Sequence, residues 1–381
     1  MASTSDGGRT AEIEFSSMKQ PPLIKQLKGI LSEYPDGGQI LKEIIQNADD
    51  AEAVEVQIVY DGRRINDTTG EATPAYNRFL SHHDVFPQGP SLCIYNDTVF
   101  AEKDWDGIRM IYSTVKEDDT LTVGRSGLGF KSIFHITDYP CVISGDKMLL
   151  IDPQQPSDKV NAMINLDDIE QLKDKGLNAR AFWEALGSNF GFNRACVQRG
   201  YFKGTIFRFP LRERKSEISE NVYDEAKLLD LFDGFQTEAS SILLFLKNLQ
   251  RISVSTIGAD NQMKEMMKTE IDDSSGKLKE RKAKFKEKFK LLAIGYKWED
   301  ITVDLQMTIR TTIKDTCECA QWQVVNHFVG NSASHDFQRL IQDEDLRYSP
   351  YVGVASPLNE PKTRFEGHVF CFCRYYVKGQ D

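Results

Sequence analysis

Apolar residues recur at helical spacing in two stretches near the start of the chain. Residues 22–34, which begin with proline, and residues 39–51 both show this spacing, so the pattern predicts two helices. The alternating residues 53–61 predict the strand that follows. The remaining elements predicted up to residue 212 are strands at 91–97 and 201–212, a helix at 102–115, a glycine-led helix at 122–138 and a hairpin at 141–153. Because helices and strands interleave, we expect an α/β (α+β) sandwich.

The pattern changes after about residue 215. Residues 221–250 predict a helix, and residues 264–290 hold nine lysines interleaved with acids. The mixed signs favour a solvated helix or loop, although a basic amphipathic run that meets a membrane or an acidic partner is the alternative. Strand-like segments follow at 291–313, 322–330 and 366–373. The predicted organisation is a disordered tail at 1–19, a first domain at 20–215 and a smaller α/β domain at 216–381.

Composition narrows the function classes. The 381 residues are 40% hydrophobic and 27% charged, which is typical of a soluble globular protein of up to two domains. No apolar run reaches membrane-spanning length, and the first 20 residues do not resemble a secretory signal. The net charge of −10 argues against a general nucleic-acid binder. We therefore expect a cytoplasmic protein that binds neither membranes nor nucleic acids.

Cysteine usage raises one alternative. Seven cysteines suggest reduced thiols, and C-x-C occurs twice, at Cys317 and Cys319 and at Cys371 and Cys373. Four such thiols could hold zinc. The spacing fits a strand with small thiols on one face better, and we expect His135 to be a hydrogen-bonded, partly buried histidine.

The second predicted helix carries a polar row. At about 100° per residue, Asn47 lies roughly 40° around the helix from Glu43, and Asp50 returns to within roughly 20° of it. Leu41, Ile44, Ile45 and Ala48 supply an apolar face beside this row. Such a row alone usually marks a solvated surface, so the rest of the chain must decide its role.

A glycine-rich stretch supplies the second half of a candidate site. Gly124, Gly127 and Gly129 lead into a predicted helix, where main-chain N–H groups can converge on an anion. The stretch is not a Walker A loop. A nucleotide with phosphates on this loop would need Mg²⁺, for which the Asn47 oxygen is a suitable ligand. Glu43, one helical turn away, could orient or deprotonate water for hydrolysis.

At these positions the chain resembles a known superfamily. E-x-x-x-N-A-x-D at 43–50, G-x-x-G-x-G-F-x-S at 124–132 and G-T at 204–205 form the pattern of the gyrase, MutL, histidine-kinase and heat-shock chaperone ATPases. More closely, residues 21–51, 127–140, 204–212 and 243–248 look like the N-terminal-type repeat module of the sacsin family.

The resemblance implies a fold and a set of roles. The expected fold is the Bergerat nucleotide-binding fold, a mixed sheet covered by helices on one face, with ATP and Mg²⁺ as cofactors. Glu43 would be the hydrolytic base and Asn47 the metal ligand. The partners that the resemblance implies are protein clients or co-chaperones, and a homo-oligomer is an option. The remaining nucleotide-binding positions that it implies are Asp50, Asn96, Asp97, Gly124, Ser126, Gly127, Leu128, Gly129, Phe130 and Thr205. The purely structural alternatives are that Thr205 only favours a strand and that Asp50 caps the end of the helix.

One departure keeps a second function open. The superfamily reads adenine with D-x-G-x-G, whereas this chain has Asn96 at the aspartate position and lacks both glycines. An amide oxygen can still accept from the adenine amino group, and Asp97 is the alternative reader. The two leading hypotheses are a slow ATP-dependent chaperone module and an interaction module that has lost nucleotide binding. A histidine kinase ranks third because no phosphoacceptor helix is recognisable, and DNA-processing roles would require a basic surface.

Overall fold

The fold is mixed α/β and is built on one large sheet. The structure, a computed structural model, describes residues 21–63, 89–109, 129–156, 159–169, 189–273, 276–293, 300–342 and 351–358. The α-helices are α1 (Leu23–Glu33), α2 (Gln39–Asp50), α3 (Glu102–Arg109), α4 (Arg194–Gln198), α5 (Glu225–Ile242), α6 (Lys277–Ala293) and α7 (His335–Gln342). The strands are β1 (Glu55–Asp61), β2 (Ser91–Asn96), β3 (Cys141–Gly145), β4 (Lys147–Ile151), β5 (Asn161–Asn165), β6 (Phe202–Pro210), β7 (Arg251–Ile257), β8 (Met263–Ile271), β9 (Ile301–Ile313), β10 (Thr316–Phe328) and β11 (Tyr351–Pro357). Within the described part of the helix predicted at 122–138, residues Gly129–His135 form a 3₁₀ segment, and residues 122–128 lie outside the described residues.

The described strands form an 11-stranded sheet in the order β11-β10-β9-β8-β7-β1-β2-β6-β3-β4-β5. Strands β1 and β7 pair in parallel, with Ile58 opposite Val254. The other neighbouring strands pair antiparallel. The mixed sheet expected from the sequence is therefore present.

The central strands of the sheet are buried on both faces. On one face the core gathers α1, α2 and α5 through residues such as Ile30, Ile44 and Phe232. On the other face a smaller cluster packs Cys196 and Val197 of α4 onto the central strands. The expectation that helices cover a single face is therefore incomplete, because β1, β2 and β6 each send apolar side chains to both sides.

The region after residue 215 joins the same sheet. Strand β7 lies directly beside β1, and buried residues of β9 and β10 belong to the same cluster as α2. The boundary at 215 stays a prediction, because a shared sheet does not mark where a domain ends.

The lysine-rich stretch matches its prediction only in part: residues 277–290 are helical, as predicted, whereas the residues before them are not. Residues 264–271 lie in strand β8 rather than in a helix or loop, and α6 begins only at Lys277. Strand β8 pairs with β7 on one side and β9 on the other, so long-range pairing overrides its polar composition.

Two other expectations concern the ends of the chain and membranes. The predicted tail at 1–19 and the strand at 366–373 fall outside the described residues. None of the helices that the structure describes is long and apolar enough to cross a membrane.

Candidate functional site

Helix α2 is anchored by one face and leaves its polar row half-buried. Ile40, Leu41, Ile44 and Ile45 are fully buried, as expected for positions that recur at helical spacing. Glu43 and Asn47 lie at the edge of this buried face and are partly covered. The row is therefore not the solvated surface that the pattern alone would favour.

The structure brings Glu43 into contact with the end of the glycine-rich stretch. A Cβ atom added at Gly129 would lie 2.0 Å from Glu43 Oε2 and 2.5 Å from its Cδ. Gln39 Nε2 donates to the other carboxylate oxygen of Glu43 at 3.1 Å. With Glu43 in this position there is no room for a side chain at Gly129, so the polar row of α2 meets the last glycine of the glycine-rich stretch.

The segment that carries Gly129 is held in place by a buried arginine. Arg212, which follows β6 and has a side chain only 1% exposed, donates to the carbonyl oxygens of His135 at 2.9 Å and Phe134 at 2.6 Å. Its Nε donates to Asp138 Oδ1 at 2.8 Å. No motif assigns a role to Arg212, because the carbonyl oxygens to which it donates are distant along the chain. As predicted, His135 is buried and hydrogen-bonded, with Nε2 2.7 Å from the Tyr34 carbonyl oxygen.

Two residues of the segment lie between the sheet and α3. The ring of Phe130 packs against Phe207 and Phe209, with centroids 5.8 and 6.2 Å away. Lys131 is buried, and its Nζ donates to the Ile108 carbonyl oxygen at 2.5 Å. Burial lowers the pKa of Lys131 from 10.5 to about 8. The structure thus adds a charged group that sequence reasoning did not single out.

The C-terminal end of α2 is bound to the chain that follows α5. Asp50 has a side chain only 1% exposed and pairs with Lys247 at 2.9 Å. Asp49 accepts main-chain N–H groups of Lys247, Asn248 and Leu249 at 3.0, 2.7 and 2.9 Å. Asp49 lies about 120° around the helix from the polar row and is only 2% exposed, so its carboxylate must be paired.

The two candidate base readers already make contacts within the protein. Asn96 Oδ1 accepts from the N–H and the hydroxyl of Thr98, at 3.1 and 2.8 Å. Asp97 Oδ1 accepts from the N–H groups of Val54 and Glu55, at 2.8 and 3.1 Å. These bonds fix the chain after β2 against the turn that enters β1.

Thr205 extends this network. Its fully buried hydroxyl donates to the Thr98 carbonyl oxygen at 2.8 Å and lies 2.7 Å from Ser144 Oγ. Ser144 Oγ in turn accepts from the Phe100 N–H at 2.8 Å. Thr205 is therefore more than a strand former, because it links β6 to the segment that follows Asn96.

Several predicted positions fall outside the described residues, namely Gly124, Ser126, Gly127 and Leu128. Cys371 and Cys373 also do. Cys317 and Cys319 lie two residues apart in β10 and therefore share one face of the strand. This is the arrangement that the strand interpretation of the first C-x-C pair predicts. In the part of the chain that the structure describes, no three or more His, Cys, Asp or Glu side chains group as a metal site.

Comparisons with known proteins support the resemblance to the sacsin family. The profile of the family described as "Sacsin domain" matches residues 20–269. Human sacsin (Homo sapiens) is 35% identical over 370 residues, which cover 92% of this chain but only 8% of sacsin.

A comparison of structures adds little. A solved structure described as "Crystal Structure of N terminal domain of a DNA repair protein" aligns with 82% of this chain and 72% of its own, at 11% identity and a TM-score of 0.32. That TM-score is too low to support an inference. The family match alone covers most of the chain, and on that ground the chain belongs to the sacsin domain family.

Proposed function

We propose that this sacsin-family chain binds ATP with Mg²⁺ and hydrolyses it slowly, as an ATP-dependent chaperone module. The observation that carries the proposal is the contact between Gly129 and the carboxylate of Glu43. An acidic residue on a helix and the end of a glycine loop, far apart in sequence, share one location. The contact supports the proposal because the two residue types that meet, a carboxylate and a glycine, are those that the proposed site requires.

The residues present fit a magnesium nucleotide. Mg²⁺ takes one or two protein oxygens and fills its remaining positions with phosphates and water. Asn47, half-buried one turn from Glu43, would supply the protein oxygen, and the main chain at Gly124, Gly127 and Gly129 would hold phosphates. When bound, the metal would offset charge on the phosphate oxygens.

Glu43 would hold the attacking water. Gln39 binds one of its carboxylate oxygens and fixes the orientation of the side chain. The other carboxylate oxygen faces Gly129. A water molecule that donates a hydrogen bond to this oxygen would therefore lie beside the phosphate loop. No arginine of residues 216–381 lies in a recognisable catalytic motif. Part of the positive charge that would stabilise the negative charge on the phosphate in the transition state is therefore missing. Turnover should therefore fall well below the range of about 1–100 s⁻¹ typical of kinases.

Binding can be tested by the melting temperature of the chain with millimolar ATP, with and without Mg²⁺. We expect ATP to raise the melting temperature, and Asn47→Ala to remove the magnesium-dependent part of the rise. Gln46→Ala, on the same helix and equally half-buried, is the control and should behave like the wild type. If ATP leaves the melting temperature of the wild-type chain unchanged, the proposal is refuted.

Hydrolysis needs a separate measurement. Glu43→Ala should abolish phosphate release while largely preserving ATP affinity, because it removes the group that orients water and leaves the loop intact. Phosphate release that survives Glu43→Ala, or turnover of many per second in the wild type, would contradict this role.

A second candidate function is an interaction module without nucleotide turnover. It is favoured by Asn96 and Asp97, because each of the two prospective base readers has a side-chain oxygen committed to groups of the protein. Under this alternative, ATP and GTP would both fail to raise the melting temperature. Its partners and those of the first candidate would be protein clients or co-chaperones in the cytoplasm.

Self-association is part of the same proposal. A homo-oligomer is an option implied by the chaperone resemblance. Light scattering with and without ATP would measure the mass, and a constant monomer mass would exclude ATP-dependent assembly.

A further inference from the structure

Two exposed thiols lie side by side near the end of the hairpin that β9 and β10 form. Cys317 and Cys319 are two residues apart in β10, so their side chains stand on the same face of the strand. Both are exposed, whereas Cys93, Cys141 and Cys196 are buried. Burial raises the pKa of Cys93 to about 11 and that of Cys141 to about 12, so these thiols stay protonated at neutral pH. Of the cysteines that the structure describes, Cys317 and Cys319 are therefore the two that a ligand can reach from solvent.

The thiol pair continues a row of charged side chains that crosses the sheet. The row runs over β7, β8, β9 and β10, where neighbouring strands place opposite one another Arg251, Glu270, Arg310 and Cys319. Arg251 Nε lies 3.3 Å from one carboxylate oxygen of Glu270, and Arg310 Nη1 lies 3.7 Å from the other. Arg310 also shares a hydrogen bond with the Cys319 side chain, which raises the pKa of Arg310. Positive and negative groups thus alternate along the row, and a thiolate at Cys319 would complete the alternation.

The spacing of the two thiols fits a bridging ion better than a disulfide. Residues two apart in a strand have Cα and Cβ atoms about 6–7 Å apart. A disulfide requires Cβ atoms about 3.5–4.5 Å apart, so β10 would have to give up its pairing with β9 to form one. An ion between two sulfurs spans more, because two metal–sulfur bonds of about 2.3 Å place the sulfurs about 4.6 Å apart. The two side chains can cover the remaining distance by leaning toward each other in ordinary rotamers.

We propose that Cys317 and Cys319 bind one Cu(I) ion between their two thiolates. Thiolates are soft ligands that select Cu(I) or Zn²⁺. Structural Zn²⁺ sites use four ligands, and the described residues contain no group of three or more His, Cys, Asp or Glu side chains that could hold a metal. Cu(I) is stable with two sulfur ligands. The complex carries one net negative charge, which the neighbouring Arg310 offsets, and the two thiol protons leave to solvent.

The experiment is a competition for Cu(I) between the full chain and bicinchoninate, an indicator whose absorbance reports the copper that it holds. Copper is supplied as its acetonitrile complex, without oxygen, at pH 7. The second C-x-C pair could bind copper by itself, so the chain that is titrated carries Cys371→Ser and Cys373→Ser. We expect this background chain to retain one Cu(I) ion.

Four further substitutions in this background chain test the proposed ligands. Cys317→Ser and Cys319→Ser should each weaken Cu(I) binding at least about a hundredfold, because serine is a poor ligand for a soft ion. Arg310→Gln should weaken it about tenfold, the scale of a group that acts on a metal from outside its ligands. Glu318→Gln is the matched control, because Glu318 is exposed between the two cysteines but points to the opposite face of the strand, and its Cu(I) affinity should not change. Urea unfolding should show similar stability for all four, since the replaced side chains are exposed or half-exposed.

The outcomes decide between a copper site and two cysteines that are only exposed strand residues. A background chain that gives up all its copper to bicinchoninate would overturn the proposal, and so would copper binding that survives both cysteine substitutions. X-ray absorption at the copper edge should find two sulfur neighbours. Three or four sulfurs, a dimeric mass by light scattering, or Zn²⁺ held against the indicator 4-(2-pyridylazo)resorcinol would contradict the two-thiolate Cu(I) site.

Discussion

Replacing Gly129 by alanine tests the contact on which the candidate site depends. The backbone at Gly129 does not have a positive φ, so alanine brings no backbone strain of its own. The new Cβ would lie 2.0 Å from Glu43 Oε2, well inside the 3.4 Å at which ordinary van der Waals contact begins. The carboxylate must therefore move by more than about 1 Å, which is overpacking by a small group.

The expected cost is moderate and specific. Because the obstacle is the far end of a flexible, half-buried side chain, moving it should cost about 0.5–1.5 kcal/mol of the free energy of unfolding, the scale of a strained rotamer. In a Glu43→Ala background the obstacle is gone, so Gly129→Ala should cost only a few tenths of a kcal/mol there, and the coupling should be about 0.5–1 kcal/mol. Misplacing the carboxylate by about 1 Å should also lower any ATP hydrolysis by roughly a hundredfold.

Urea unfolding of the four chains in this double-mutant cycle measures the coupling. Gly29→Ala is the control, because an added Cβ there meets nothing within 4 Å and the position lies inside α1. It should stabilise the chain by about 0.5–1 kcal/mol. If Gly129→Ala costs the same with and without the Glu43 carboxylate, the contact does not exist in solution and the site as built here is wrong.

Three further predictions concern the surroundings of the site. Arg212→Ala should lower the free energy of unfolding by about 3–5 kcal/mol in urea, because it leaves Asp138 buried without its partner; a loss below 1 kcal/mol would contradict the capping role. Thr205→Val should cost about 1–3 kcal/mol by the same assay, because the hydroxyl that links it to Ser144 is fully buried; an unchanged midpoint would argue against the network. The pKa of Lys131 is about 8 in the folded chain and 10.5 in the free residue, so the unfolded chain binds more protons between these values and stability should rise with pH there. Relative to Lys131→Met, wild type should gain about 2 kcal/mol between pH 7.5 and 9.5; parallel pH profiles would refute this.

Local periodicity was enough to predict the helix of the candidate site. Helix α2 follows the predicted 39–51 within one residue at its C-terminal end, because four large apolar residues recur on one face. The polar row at Glu43 and Asn47 was visible for the same reason. That Gly129 lies against Glu43 could be expected only from the order of motifs, since the contact depends on how distant segments pack.

Other features depend on long-range partners. The composition of residues 264–271 predicts a solvated stretch. The structure instead places them in the sheet, because they pair with β7 on one side and β9 on the other. Arg212 and Asp49 bind main-chain groups of distant segments, which no spacing within either motif encodes. Asn96 is a different case, because its oxygen accepts from Thr98 through a local turn that its residue type permits but does not require.

Hydrogen exchange of the full chain, with and without magnesium ATP, tests the central claim most directly, because it reports both whether the nucleotide binds and where. The account predicts ATP-dependent protection of peptides that cover α2 (Gln39–Asp50) and residues 124–135, and little change in β9 and β10 at the far side of the sheet. Protection confined to other parts of the chain, or none at millimolar magnesium ATP, would contradict it.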